Sequence, residues 1–178
     1  SGYYNNGMAV GAPIYSTGHV GQAQSIALDG TNSYAQLPAN IAKGGAFTFA
    51  AWVYWNGGGN WQRIFDFGND TSQYLFLTPS SGSSTLRFAI KNGGSEQIVE
   101  RAGALASGSW QHVAVTLNGN TATLYVNGSQ VSSTNTFTLA PSAFSPVKNY
   151  LGKSQFADPL FSGKLEDVEI ADYAMTAA

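Results

Sequence analysis

Residues 47–70 read FTFAAWVYWNGGGNWQRIFDFGND, and this stretch decides the fold. Phe47, Phe49, Ala51 and Val53 alternate with Thr48, Ala50, Trp52 and Tyr54, a period of two that sends every second side chain to one face of a strand. The strand runs into three glycines bracketed by Trp55 and Trp61, and a second strand follows. A pair of this kind builds a β-sandwich and leaves aromatic rings at its rim.

Working outward, short runs separated by turn residues predict strands over 13–17, 24–29, 33–37, 46–54, 62–67, 73–78, 84–91, 96–101, 110–117, 121–127, 147–151 and 163–171. Many strands and almost no helix indicate an all-β, two-sheet antiparallel sandwich or jelly roll. In WQHVAVTLNGNTATLYVNG (110–128), Val113, Val115 and Leu117 face one way, and Leu124 and Val126 return to the same side. Asn118-Gly119 is a type I′ hairpin signal; a turn at Gly119-Asn120 would shift the pairing by two residues and keep the same faces together. The second face carries His112, Thr116, Thr123 and Tyr125, which suits either a groove or an ordinary solvated sheet. Residues 132–146 read as an irregular connection, and the tail from Asp172 as the start of one helical turn.

The 178 residues fit one domain over 1–178, and the Ser-Gly start suggests a module excised from a larger multidomain protein. Charged residues are 10% of the chain where about 25% is usual, while 43% are hydrophobic, so the surface is uncharged and polar around an ample core. A net charge of −2 with eight scattered Lys and Arg gives no basic stripe for nucleic acid and no cationic face for a membrane. Without cysteine there is neither a disulfide nor Cys-ligated zinc, and His19 and His112 lack zinc-site spacing; oxygen-liganded calcium remains open. This composition reads as part of a secreted bacterial protein, a monomer.

With these residues in view, the chain resembles the laminin-G-like, concanavalin-A-like jelly-roll modules of secreted bacterial glycoside hydrolases. The matching pieces are SIALDGTNSYAQLP (25–38), FTFAAWVYW (47–55), RIFDFGN (63–69), YLFLTP (74–79), LRFAI (86–90), WQHVAVTLNGNTATLYVNG (110–128), NYLGKSQFADP (149–159) and FSGKLEDVEI (161–170). They span most of 25–170 in the family's order. The resemblance implies a two-sheet sandwich with a non-catalytic role, commonly carbohydrate binding beside a separate catalytic domain. It also implies a structural calcium near the N-terminal hairpin and the final strand. Here its ligands would be Asp29 and Glu166, with Asp167 in reserve and main-chain oxygens of Gly30 and Ser33. The family's usual acidic residue in the first motif is Ser33 here, and its usual Ile-Asp in the last strand is Leu165-Glu166. The bland alternative is that Asp29 organises a turn and Glu166 is solvated.

Sugar recognition combines an aromatic face with amides, carboxylates or arginine that read hydroxyls. Trp55 and Trp61 on the glycine-rich loop are the leading stacking candidates; either ring could instead fold back to cap the sandwich. Trp52 and Trp110, inside regular strands, read as core or sheet packing. Arg63 and Asp66 are three apart, on opposite faces of a regular strand unless a bulge intervenes, and Arg63 suits either a sugar diol or an ion pair with Asp66 or Asp158. Asn69 lies at the strand end; Lys153, Gln155 and Asp158 form a polar loop; Tyr74 and Gln97 rank lower.

Ten carboxylates make a glycosidase pair arithmetically possible, but the nearest local cluster, Glu166-Asp167-Glu169, points to alternate faces. No nucleophile elbow or dinucleotide fingerprint occurs. The expected function is therefore a non-catalytic module that holds an attached glycoside hydrolase on a polysaccharide or oligosaccharide, a neutral one such as arabinan or xylan. A structural or adhesion domain packing on a neighbouring catalytic domain is the alternative, and a hydrolase or lyase on the same fold comes third.

Overall fold

A computed structural model describes residues 6–19, 21 and 24–176. Among the described residues, fourteen strands form two seven-stranded antiparallel sheets. They are β1 (Met8–Val10), β2 (Ile14–Thr17), β3 (Gln24–Asp29), β4 (Tyr34–Leu37), β5 (Ala46–Trp55), β6 (Phe65–Asp70) and β7 (Gln73–Thr78), followed by β8 (Leu86–Asn92), β9 (Gln97–Arg101), β10 (Trp110–Asn118), β11 (Thr121–Val126), β12 (Ser129–Thr134), β13 (Lys148–Leu151) and β14 (Ser162–Ala171). Sheet A runs β1-β4-β13-β6-β7-β8-β9, and sheet B runs β12-β11-β10-β5-β14-β3-β2.

The core is the meeting of two inward faces. From β5 come Phe47, Phe49, Ala51 and Val53, all fully buried, and they meet Phe65 and Phe67 of β6 and Phe88 of β8. Phe49 and Phe65 lie 4.4 Å apart between ring centroids, and Phe47 and Phe65 5.8 Å, so aromatic contact joins the sheets where the strands cross. Truncating such a ring costs about 3–5 kcal/mol through lost transfer energy and a residual cavity.

The β10–β11 hairpin closes on Gly119 and Asn120, with Asn118 opposite Thr121. Gly119 takes φ +56° at the first turn position, where glycine favours a type II′ turn, so the Asn118-Gly119 turn is corrected by one residue. The faces are unchanged: Val113, Val115, Leu117 and Leu124 are all fully buried.

Two strands escaped the periodicity, and both are sheet edges. β1 and β12 each pair on one side only, so little burial imprints a pattern on MAV or on the polar SQVSST. The expected irregular segment 132–146 therefore begins as strand and continues to a single 3-10 turn at Pro141–Ala143. Residues 172–176 are not helical; 177–178 and the Ser-Gly start lie outside the described residues. The strand expected over 62–67 starts only at Phe65, because residues 61–64 form an irregular entry to it.

Candidate functional site

The glycine-rich loop after β5 is built around a buried amide. Gln62 Oε1 accepts from Trp55 Nε1 at 3.1 Å and from the Ser162 amide at 3.0 Å, while its Nε2 donates to the Gly57 carbonyl at 3.2 Å. This corrects the expectation for Trp55. The ring is 5% exposed and belongs to the core, because β5 continues to Trp55 and the phase that buries Val53 buries it too. It cannot stack on a ligand.

Trp61 goes the other way. Its φ of +69° is rare for a bulky residue, and its amide donates to the Ser80 carbonyl at 2.8 Å. The reversed backbone lays the indole on the outer face of sheet A, edge-on to Phe76 with centroids 6.4 Å apart. Phe76 and Tyr74 face outward because Leu75 and Leu77, one place along β7, face the core.

Arg63 follows in the irregular segment, which removes the opposite-face constraint expected for it and Asp66. It is 3% exposed, with its guanidinium 4.0 Å from the Phe76 ring centroid. One nitrogen donates to Asp158 Oδ2 at 3.0 Å, another to the Trp61 carbonyl at 2.7 Å, and Nε lies 3.4 Å from Asp66 Oδ2. Ser154 Oγ donates to Asp158 at 2.9 Å and the Gln155 amide to Asp66 at 3.1 Å, which folds the 152–159 loop onto the sheet. Two carboxylates thus share one guanidinium. Asp66 is fully buried, and burial raises its carboxyl to about 7 against the opposing pull of Arg63. Asp66 Oδ1 and Arg63 Nε have no hydrogen-bond partner.

Above this triad opens a cleft of about 200 Å³, walled by the rings of Trp61, Tyr74, Phe76 and Phe156 and by Arg63, Glu96 and Asp158. The Tyr74 hydroxyl donates to Glu96 Oε1 at 2.6 Å, and burial followed by that bond pushes the phenol pKa well above its ordinary value. The structure therefore brings Trp61, Arg63, Tyr74 and Asp158 together. Asp66 lies beneath them and does not line the cleft.

The other expected site residues serve elsewhere. Asn69 Nδ2 donates to the Phe144 carbonyl at 2.8 Å and its Oδ1 accepts from the Val147 amide, pinning the loop before β13. Gln155 Nε2 donates to the Lys148 carbonyl, and the Lys153 ammonium sits 5.0 Å from the Tyr150 ring centroid and 5.6 Å from that of Tyr34. Phe76, Glu96 and Phe156 were missed as site residues. The outward phase of β7 carried a signal for Phe76; Glu96 and Phe156 arrive on loops, where no period exists.

The proposed calcium ligands do not fit one ion. Asp29 stands opposite Ser162 on β14, whereas Glu166 lies four residues along that strand opposite Trp52, roughly 13 Å away at the usual rise per residue. Asp29 Oδ1 accepts from the amides of Thr31, Asn32 and Ser33 and from the Ser33 hydroxyl, which organises the turn containing Gly30 and holds its carboxyl well below the usual range. Glu166 accepts from the His19 amide, and Asp167 sits at φ +49° in the bulge that follows. Among the described residues no three His, Cys, Asp or Glu side chains cluster for a metal.

On sheet B, Trp52 and Trp110 are half-buried on the outer face rather than in the core: the His19 imidazole stacks on Trp52 at 3.7 Å, and His112 meets it edge-on at 5.3 Å. Of the residues expected opposite the hairpin core, His112, Thr116 and Tyr125 line a second, larger cleft, while Thr123 hydrogen-bonds to Ser133.

The fold is shared with solved structures, two of which hold a bound sugar. Domain 4 of AbnA, a GH43 extracellular arabinanase from Geobacillus stearothermophilus, solved with arabinotriose, superposes with a TM-score of 0.89 at 19% identity, covering 99% of this chain and 86% of that one. The CBM40 of the Ruminococcus gnavus IT-sialidase, bound to α2,3-sialyllactose, gives 0.69 at 12% identity over 86% and 92%. A SAP-like pentraxin from Limulus polyphemus gives 0.53 at 18% identity over 80% and 69%. No curated protein matches the sequence. A laminin-G family model described as the concanavalin A-like lectin/glucanases superfamily matches residues 29–178, and the chain belongs to that superfamily.

Proposed function

We propose that this chain is a non-catalytic carbohydrate-binding module, and that the Trp61 cleft is its sugar site. The observation that carries the reading is the Trp61 indole, held by a left-handed backbone on the outer face of sheet A beside Arg63 and Asp158. A strained conformation at a bulky residue persists only where the surroundings fix it, and such strain gathers at ligand sites. The cleft's 200 Å³ falls below the roughly 300–1,000 Å³ of drug-sized pockets, the scale of one sugar ring. Four aromatic walls accept the C–H face of that ring, and the carboxylate and guanidinium edges accept from and donate to its hydroxyls.

The way the carboxylates are used supports a non-catalytic role. Glycoside hydrolysis needs two carboxyl groups flanking the scissile bond. Here Asp158 is bound to Arg63 and Ser154, Glu96 to Tyr74, and Asp66, whose pKa alone would suit an acid, is sealed beneath the cleft. The module would be secreted and would hold an attached glycoside hydrolase on its polysaccharide, where even weak binding raises the local substrate concentration through tethering. The arabinotriose complex of the arabinanase domain makes a neutral pentose polymer the first ligand to try.

A docking role against a neighbouring domain is favoured by one observation: Met8, Ile14 and Tyr15, on the edge strands β1 and β2, are 58%, 70% and 63% exposed. Affinity electrophoresis on arabinan and xylan separates the two. The module should be retarded and Trp61→Ala should migrate freely; wild type that runs unretarded on both gels would overturn the sugar-binding reading.

A further inference from the structure

The outer face of sheet B holds a trough that its register builds. Glu169 of β14 pairs with Ala50 of β5, Ala50 with Ala114 of β10, and Ala114 with Tyr125 of β11. One row across four strands therefore reads carboxylate, methyl, methyl, phenol: two walls about 14 Å apart at the usual strand spacing, with a floor too small to fill the gap. The next row along β5 and β10 supplies Thr48 opposite Thr116, and the row before it Trp52 opposite His112. Met175 closes one end of a cleft of about 370 Å³.

The hydrogen-bonding state of this trough differs from that of the Trp61 cleft. Among the described residues, the His112 ring, the Thr116 hydroxyl, the Tyr125 hydroxyl and the Glu169 carboxylate make no hydrogen bond or ion pair, while Thr48 is held by the Tyr173 carbonyl and the Met175 amide. The free groups include both donors and acceptors. No Lys or Arg lines the trough and Glu169 does, so a phosphate, sulfate or carboxylate would enter against a like charge. The floor strands β5 and β10 and the far wall β11 are each paired on both sides, so their backbone groups offer a peptide strand nothing; only the Glu169–Ala171 end of β14 lacks a partner on its outer side.

We propose that this trough is a second glycan site, taking a neutral oligosaccharide that lies along the strands. The apolar floor of Ala50, Ala114 and Met175 meets ring C–H faces, and the wall groups read hydroxyls. The His19 imidazole stacked on Trp52 covers that ring and closes this end, so from Thr48 to Trp52 the trough runs roughly 13 Å. A di- or trisaccharide is accommodated, where the Trp61 cleft takes one ring. The inference shares with the proposed function only the class of ligand; its residues lie on the opposite sheet.

The test is amide NMR of the 15N-labelled chain titrated with arabinotriose, xylotriose and α2,3-sialyllactose. A neutral trisaccharide should shift Ala50, Ala114, Thr116 and Tyr125, and Trp61→Ala should leave those shifts intact. Ala114→Phe fills the floor with a ring that suits a strand and removes no polar group; it should weaken binding there at least about tenfold, as blocking a central contact does. Tyr125→Ala serves as the second variant. Shifts confined to the Trp61 cleft would overturn the trough and leave the proposed function standing. Shifts in the trough alone would support it and remove the Trp61 cleft as the sugar site. No shift with any of the three sugars would overturn both, and trough shifts with sialyllactose but neither neutral trisaccharide would overturn the ligand class.

Discussion

The two outer faces of one sandwich solve opposite problems. On sheet A, the polar side chains beneath Trp61 are spent on each other: Arg63 on Asp66 and Asp158, Tyr74 on Glu96. On sheet B, the side chains of His112, Thr116, Tyr125 and Glu169 around Ala50 and Ala114 are unspent among the described residues, and only Thr48 is held. The first arrangement rigidifies a small cleft and offers a ligand mainly aromatic surface. The second leaves a wide trough whose groups are satisfied only by water or a ligand. Stability and binding should therefore separate between the faces, and substitutions can break that separation.

The largest effect is expected at Arg63. Arg63→Ala would leave the buried Asp66 without its cation and the cleft-lining Asp158 without its guanidinium partner, and breaking a buried pair costs about 3–5 kcal/mol. Chemical denaturation should show a lowered midpoint. A variant as stable as wild type would mean the triad is hydrated and the contrast between faces false.

Next comes pH. The folded Asp66 carboxyl is raised to about 7 from 3.8, so between those values the folded chain keeps a proton that the unfolded chain releases. Its ionisation opposes folding: the contribution is fully present below about pH 4 and is lost as pH climbs to about 7. Thermal melts of wild type and Asp66→Asn should show wild type losing ground to the variant across that window. A wild type that gains instead would show that Arg63 outweighs burial.

Glu169→Gln should change stability by less than about 0.5 kcal/mol, since the carboxylate has no partner to lose. A larger loss would mean that the trough wall is structural. Smallest of all, a chelator should leave the melting temperature unmoved, because a ligand bound only to the folded chain would stabilise it and Asp29 and Glu166 do not reach one ion. A drop would place a calcium site on other oxygens.

Much of the fold was legible because strand periodicity is local. The alternation of Phe47 to Val53 named the core face residue by residue, and the hairpin kept its faces although its turn moved by one place. Carried one place further, the same alternation buries Trp55; reading the ring as part of the loop hid this. Trp61 was legible as a ring near glycines, yet its direction rests on a single backbone angle that no local pattern encodes.

What the sequence determined by itself was the class of the molecule: a sparsely charged, cysteine-free, two-sheet sandwich with its core residues in phase. Only the tertiary structure decided which side chains meet. Arg63 meets Asp158 from 95 positions away, and Glu169, Ala50, Ala114 and Tyr125 form a row because four strands stop sliding at one register. Side-chain direction along a strand follows from the pleat of the chain itself, whereas which strands lie side by side, and in what register, is settled by the summed burial of the whole core.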